Sequence, residues 1–118
     1  MVEPVGPYTP VVRAGEWLVV SGQVGIVDGK LVSGGVEGEL RQAFANLRAL
    51  LEAEGASVTD VVKTTVFLRH LGGDYARMNE VYVELFGDHR PARSAVGVAE
   101  LPLGALVELE AWAHLGAG

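Results

Sequence analysis

The spacing of apolar residues constrains the fold of this chain more than any other feature of the sequence. Two segments carry apolar side chains at the helical period, and segments typical of strands surround them. The first helical segment opens with acidic residues and is followed by Gly55, a residue suited to a left-handed stop. The second is expected to begin with Asp74 as its N-terminal cap and to end at Gly87. The two apolar stripes are Val36, Leu40, Ala43, Phe44, Leu47, Leu50 and Leu51, and Met78, Val81, Tyr82, Leu85 and Phe86.

The remaining segments indicate β-strands. A hairpin is expected from Val11-Val12 to Gly22, with its turn over residues 13–16, and Asp28-Gly29 marks a second tight turn. Further strands are expected over residues 61–69, 93–99 and 106–114. The order β-β-β-α-β-α-β-β predicts one α+β domain over residues 1–118, with a mixed sheet and both helices on one face.

Two helices on one face leave the other face of the sheet uncovered. In the last strand, the alternation of side chains places Leu106, Glu108, Glu110, Trp112 and His114 on this helix-free face, and Val107, Leu109, Ala111 and Ala113 beneath the helices.

For the strand over 93–99, we assign Val96 and Val98 to the core. Arg93, Ala95 and Gly97 then belong to the helix-free face, which brings Arg93 and Glu108 to the same side of the sheet.

Composition indicates that the helix-free face meets another subunit. Hydrophobic residues make up 49% of the chain, 16 glycines add to them, and charged residues contribute only 20%. This excess of apolar surface favours an oligomer with a buried interface that uses Ala95, Gly97, Glu110 and Trp112. The alternative is that the composition is merely rich in alanine and valine.

Charge and residue usage exclude several classes of function. A net charge of −6 without a basic stripe argues against nucleic-acid binding. The absence of cysteine excludes disulfides and thiol catalysis, and the three histidines lack metal-ligand spacing, so no metal is expected. No apolar run is long enough to span a membrane and the first twenty residues carry no secretory pattern, so we expect a cytoplasmic protein.

Several short polar motifs have ordinary structural explanations when each is taken singly. Together, in this order and spacing, they resemble the RidA/YjgF family, the reactive-intermediate deaminases that act on enamines and imines. The similar segments are Gly6-Pro7-Tyr8, Ser21-Gly22-Gln23, 60–68, 79–82, Pro91-Ala92-Arg93-Ser94, Leu101-Pro102 and 107–111.

The resemblance implies a chorismate-mutase-like fold assembled as a homotrimer around a central β-barrel, with active sites in clefts between subunits. It implies cofactor-free hydrolysis of 2-aminoacrylate or 2-iminopropionate to 2-oxo acids and ammonia. Carried across by position, Arg93 would hold the substrate carboxylate, and Glu108 would handle the water and the leaving ammonia. The residues implied to line the cleft are Tyr8, Ser21, Gly22, Asn79 and Ala95.

The chemistry of these residue types fits the implied roles. A guanidinium makes a planar two-point contact with a carboxylate, and one carboxylate can both accept and return a proton. Gly22 and Gly97 are expected to leave room for a ligand against the backbone. Ala95 departs from the pattern, because many family members have cysteine there.

Two other functions remain open at this point. The chain could be a trimer that binds small carboxylates at Arg93 without turnover, or an endoribonuclease and translation inhibitor like some relatives. The acidity of the chain opposes the ribonuclease. The presence of Glu108 beside Arg93 in the motif set favours turnover, since binding alone needs only the arginine.

Overall fold

The computed structural model describes residues 6–116 of the chain, which form one mixed sheet with two helices on the same face. The elements in chain order are β1 (Val11–Ala14), β2 (Trp17–Gln23), β3 (Ile26–Val27), β4 (Lys30–Leu31), α1 (Gly35–Ala53), β5 (Val61–Leu68), α2 (Leu71–Phe86), β6 (Ala92–Gly97) and β7 (Val107–His114), with 3₁₀ turns at Val58–Asp60 and Pro102–Gly104.

The large sheet has the strand order β1-β2-β7-β5-β6. Strands β5 and β6, which α2 connects, run parallel, and the other neighbours are antiparallel. The predicted hairpin and the predicted α+β class with a mixed sheet are confirmed. The turn at Asp28-Gly29 joins the separate pair β3–β4, and both of its residues have positive φ, as a type I′ turn requires.

The core lies between the sheet and the two helices. The helix-facing residues of β7 (Val107, Leu109, Ala111 and Ala113) are fully buried, as their alternation predicted. They pack with the apolar stripes of α1 and α2 in one cluster. Within the described part of the chain, no helix is long and apolar enough to cross a bilayer.

The start of α2 differs from the prediction. The helix begins at Leu71 with His70 as its N-terminal cap, and Asp74 lies one turn inside, where its N–H donates to the His70 carbonyl at 2.8 Å. Leu71 packs against the core cluster. We attribute the earlier start to this packing, which favours helical backbone through Gly72 and Gly73 despite their low propensity.

The assignment of faces along β6 is wrong. Arg93 and Ala95 pair in register with Thr64 and Val66, which are fully buried beneath the helices. Arg93, Ala95 and Gly97 therefore lie on the helix side, and Val96 lies on the helix-free face with 39% of its surface exposed. The rule that larger aliphatic residues face the core fails here because β6 is an edge strand. Of the four predicted interface residues, only Glu110 and Trp112 share the helix-free face.

Glu39 lies outside the apolar stripe that the helical spacing predicts for α1, on the side where charged residues are expected to be exposed. Glu39 is buried, and its carboxylate accepts the Leu106 N–H at 2.8 Å, just before β7 begins. Gly25 approaches the same turn of α1 so closely that an added Cβ would lie 2.5 Å from the Glu39 carbonyl oxygen. The hydrogen bond between Glu39 and Leu106 ties the start of β7 to α1.

Replacing Glu39 with leucine is expected to lower the free energy of unfolding by about 1–3 kcal/mol, because the half-buried Leu106 N–H loses its acceptor. Glu39→Gln keeps a side-chain oxygen at this position and is expected to lose less. Urea unfolding of both variants measures the difference. Equal losses in the two variants would show that the hydrogen bond to Leu106 contributes little.

Candidate active site

A cleft of about 310 Å³ opens on the helix-free face where β2, β7 and the loop before β7 meet. We call it the Glu108 cleft. Its lining residues are Tyr8, Ser21, Gly22, Pro102, Glu108 and Glu110.

An irregularity in β2 shapes this cleft. The register between β2 and β7 shifts after Val20, so that Ser21 and Gly22 together oppose Glu110, as in a β-bulge. The Ser21 hydroxyl donates to the Thr9 carbonyl at 2.6 Å and ties the segment that carries Tyr8 to the strand. The bulge thus brings three of the predicted lining residues together.

Gly22 makes room for the glutamate. A Cβ at residue 22 would lie 2.4 Å from Oε2 of Glu108, so the carboxyl group rests directly against the glycine backbone. Gly97 has a different role from the predicted one, since its missing side chain leaves space for Leu71 at the start of α2, 3.1 Å from where a Cβ would stand. Gly22 borders the cleft, but the Glu108 carboxyl group, and not a ligand, occupies the space beside its backbone.

Burial raises the pKa of Glu108, and the neighbouring carboxylate of Glu110 raises it further. Both effects disfavour the ionised form of the Glu108 carboxyl group. A carboxyl group with a raised pKa is suited to donating a proton near neutral pH. The Glu108 cleft therefore holds a candidate general acid and base.

The Glu110→Gln substitution is expected to lower the pKa of Glu108, because it removes the like charge and leaves burial in place. A ¹³C NMR titration of the Glu108 carboxyl group measures this. An unchanged Glu108 titration in the Glu110→Gln variant would contradict the assigned charge effect.

The raised pKa of Glu108 also links the stability of the fold to pH. Glu108 stabilises the fold most below the ordinary glutamate pKa, and this contribution is lost as pH rises through the raised value.

Arg93 occupies a second polar site on the helix side of the sheet, which we call the Arg93 cluster (Arg93, Tyr75, Met78 and Tyr82). The guanidinium lies 4.9 Å from the centre of the Tyr82 ring, and Nη1 donates to the Met78 sulfur at 3.6 Å. Nη2 donates to the Tyr75 hydroxyl at 3.3 Å. These contacts fix the fork of the guanidinium at the sheet edge.

The rings of the Arg93 cluster differ in how deeply they are anchored. Tyr82 is buried, and its hydroxyl shares a 2.7 Å hydrogen bond with the buried Thr64. Burial raises the pKa of Tyr82. Tyr75 is exposed over 41% of its surface. Asn79 is half-buried on α2 next to Met78, and Ala95 is half-buried on the same face as Arg93.

The predicted site residues therefore fall into two groups. Tyr8, Ser21, Gly22 and Glu108 meet in the Glu108 cleft, whereas Arg93, Asn79 and Ala95 belong to the helix side. The prediction that Arg93 and Glu108 share a sheet face is wrong. The predicted alternation places the residues of β6 on the opposite faces from those that they occupy, because the sides of a strand alternate and an error of one residue reverses every side chain. One chain does not bring the two groups together.

Sequence reasoning missed Tyr75 and Met78 as neighbours of Arg93. The helical spacing accounts for Met78 only as part of the α2 stripe, and the exposed Tyr75 three residues earlier belongs to no motif. The i, i+3 spacing of these residues on α2, facing the strand that follows the helix, was the available signal. Within residues 6–116 the structure holds no cluster of three metal-ligating side chains.

Comparison with known proteins gives consistent matches over nearly the whole chain. The sequence model of the family described as Endoribonuclease L-PSP matches residues 1–115. A RutC family protein of Pyrococcus horikoshii is 45% identical over 95% of this chain and 90% of its own length. A human protein named 2-iminobutanoate/2-iminopropanoate deaminase is 43% identical over 95% of this chain and 82% of its own length.

A solved structure shows the same similarity in three dimensions. The structure of Escherichia coli TdcF with bound serine superposes with a TM-score of 0.88 and 37% identity, covering 94% of this chain and 90% of TdcF.

Proposed function

Since the chain belongs to the Endoribonuclease L-PSP family, the YjgF/RidA family, we propose that it hydrolyses reactive 2-imino acids and their enamine forms to 2-oxo acids and ammonia. The observation that carries the proposal is the pair of half-sites. One is a guanidinium whose fork is fixed by three neighbours, and the other is a half-buried carboxyl group with a raised pKa that lines a cleft. The names of relatives such as the human deaminase support the same chemistry.

The reaction requires both half-sites. Arg93 holds the carboxylate of the imino acid through two parallel hydrogen bonds and presents the C=N carbon to water. Glu108 accepts one proton of water as the water oxygen bonds to the carbon of the protonated imine, which gives a carbinolamine. Glu108 then returns that proton to nitrogen and takes up the hydroxyl proton as the C–N bond breaks and the C=O bond of the 2-oxo acid forms. It passes this last proton to the departing ammonia, which leaves as ammonium, and Glu108 is ionised again. An imino acid and one water give a 2-oxo acid and ammonia, without a cofactor.

The two half-sites must come from different chains, because a sheet separates them within one chain. We propose a homotrimer in which the Arg93 edge of one subunit faces the Glu108 cleft of the next, around a barrel formed by the helix-free faces. Exposed aromatic residues on that face support an interface there. Trp17 and Trp112 are 38% and 45% exposed and make an edge-to-face contact with ring centres 6.0 Å apart. We place the protein in the cytoplasm.

The test is release of ammonia and 2-oxo acid when the purified protein is added to an amino-acid oxidase that generates the imine in situ. We expect the protein to accelerate the release of ammonia and 2-oxo acid above the rate of the same reaction without the protein. Ligand binding without acceleration would favour the carboxylate-binding trimer. The net charge of −6 gives no support to the ribonuclease alternative.

A further inference from the structure

The Tyr75 hydroxyl is the one polar group of the Arg93 cluster that lies at its exposed rim. Tyr75 comes from α2, its ring centre lies 5.8 Å from the guanidinium carbon of Arg93, and its oxygen lies 3.3 Å from Nη2. The other two neighbours of the guanidinium are a thioether sulfur and the buried Tyr82 ring, whose hydroxyl is engaged with Thr64. Tyr75 therefore stands where an anion would reach the arginine.

The direction of the hydrogen bond leaves the phenolic proton available. Nη2 is a donor only, so the Tyr75 oxygen accepts from it, and the Tyr75 O–H points elsewhere. Among the residues that the structure describes, no carboxylate lies within ion-pair distance of Arg93. Arg93 therefore has no internal anion among the described residues, and the Tyr75 hydroxyl lies beside its Nη2 with a proton to donate.

We propose that Tyr75 is a substrate-binding residue whose hydroxyl donates to the same carboxylate oxygen that Nη2 of Arg93 holds. A carboxylate oxygen has two lone pairs and accepts both bonds at once. The assignment rests on the proposed function for the identity of the ligand, a small 2-oxo or 2-imino acid. It adds a third donor to the two of the guanidinium and makes the site selective for carboxylates over neutral carbonyl compounds.

The Tyr75→Phe variant tests this, because it removes the hydroxyl and keeps the ring over Arg93. We expect the Kd for 2-oxobutyrate, measured by calorimetry, to rise about tenfold, since a hydrogen bond to a charged group is lost. The contact is the same in the ground state and the transition state, so KM for the imine is expected to rise similarly with kcat changed less than twofold.

Tyr82→Phe is the matched comparison, since it makes the same chemical change on the other ring of the cluster. Its hydroxyl bonds the buried Thr64, so this variant is expected to lose more stability than Tyr75→Phe in urea unfolding and to lose less affinity. If a loosened fold were the cause of weaker binding, the order of the affinity losses would be reversed, and the assignment would fail.

The outcomes separate this inference from the proposed function. A Tyr75→Phe variant with the parent Kd and KM overturns the role of Tyr75 and leaves deamination standing. So does a fall in kcat with unchanged Kd, which would place Tyr75 in the chemical step. A parent that binds 2-oxobutyrate through Tyr75 but hydrolyses no imine removes the proposed turnover alone, and a parent without affinity for 2-oxobutyrate overturns the assignment.

Discussion

Replacing Glu108 with glutamine is expected to slow imine hydrolysis about a hundredfold or more, the usual contribution of a positioned acid and base. The amide has the size and reach of the carboxyl group but neither accepts the proton of water nor returns one to nitrogen. The close fit of the side chain against Gly22 is preserved. The measurement is ammonia release by the variant and the parent under the same imine supply.

The Glu108→Gln variant should still bind 2-oxobutyrate, because the carboxylate is held at Arg93. Calorimetry on the same preparation provides this control and shows that the site is intact. Hydrolysis at the parent rate would remove Glu108 from the mechanism.

Replacing Arg93 with lysine is expected to lower kcat/KM by roughly 30- to 1000-fold, which corresponds to about 2–4 kcal/mol. An ammonium group does not reproduce the planar two-point contact, nor does it span the Met78 sulfur and the Tyr75 hydroxyl as the guanidinium does. Steady-state kinetics with an imine generated in situ measures the loss, and circular dichroism checks that the fold is kept.

Arg90→Lys makes the same chemical change three residues earlier. Arg90 is exposed and donates a 3.4 Å hydrogen bond to the His89 carbonyl, so its replacement should leave kcat/KM within about twofold of the parent. If the two lysine variants lose activity equally, the loss does not come from a carboxylate contact made by Arg93.

The fold was predictable from the sequence where one strong periodicity acts alone. Strand β7 lies at the centre of the sheet with helices on one side, so its alternation of small apolar and polar residues reported burial directly. The α1 stripe and the turn at Asp28-Gly29 were equally clear. Local pattern and tertiary environment agree in these elements.

Prediction failed where the tertiary environment overrides the local pattern. Strand β6 is at the edge of the sheet, where Val96 is exposed and the smaller Ala95 packs against the core. Glu39 is buried because a backbone N–H of the loop before β7 needs an acceptor there. Neither fact is visible in the spacing of residues along the chain.

The candidate site was likewise predictable in one part and not in another. The motif resemblance supplied the residue set, and the bulge of β2 explains how four of them meet in the Glu108 cleft. The position of Arg93 on the opposite face depends on the register between β5 and β6, which no single-strand pattern contains. That register turns the predicted single site into two half-sites.

The central claim, that Arg93 and Glu108 of different chains form one site, is tested most directly by mixing two inactive variants. Arg93→Lys chains keep the Glu108 cleft, and Glu108→Gln chains keep the Arg93 cluster. After the two are unfolded and refolded together at equal concentration, about a quarter of the sites in a closed homo-oligomer should combine both intact halves. The account predicts that the mixture regains about a quarter of the parent rate of ammonia release. A mixture that never exceeds the average rate of the two separate variants would contradict it.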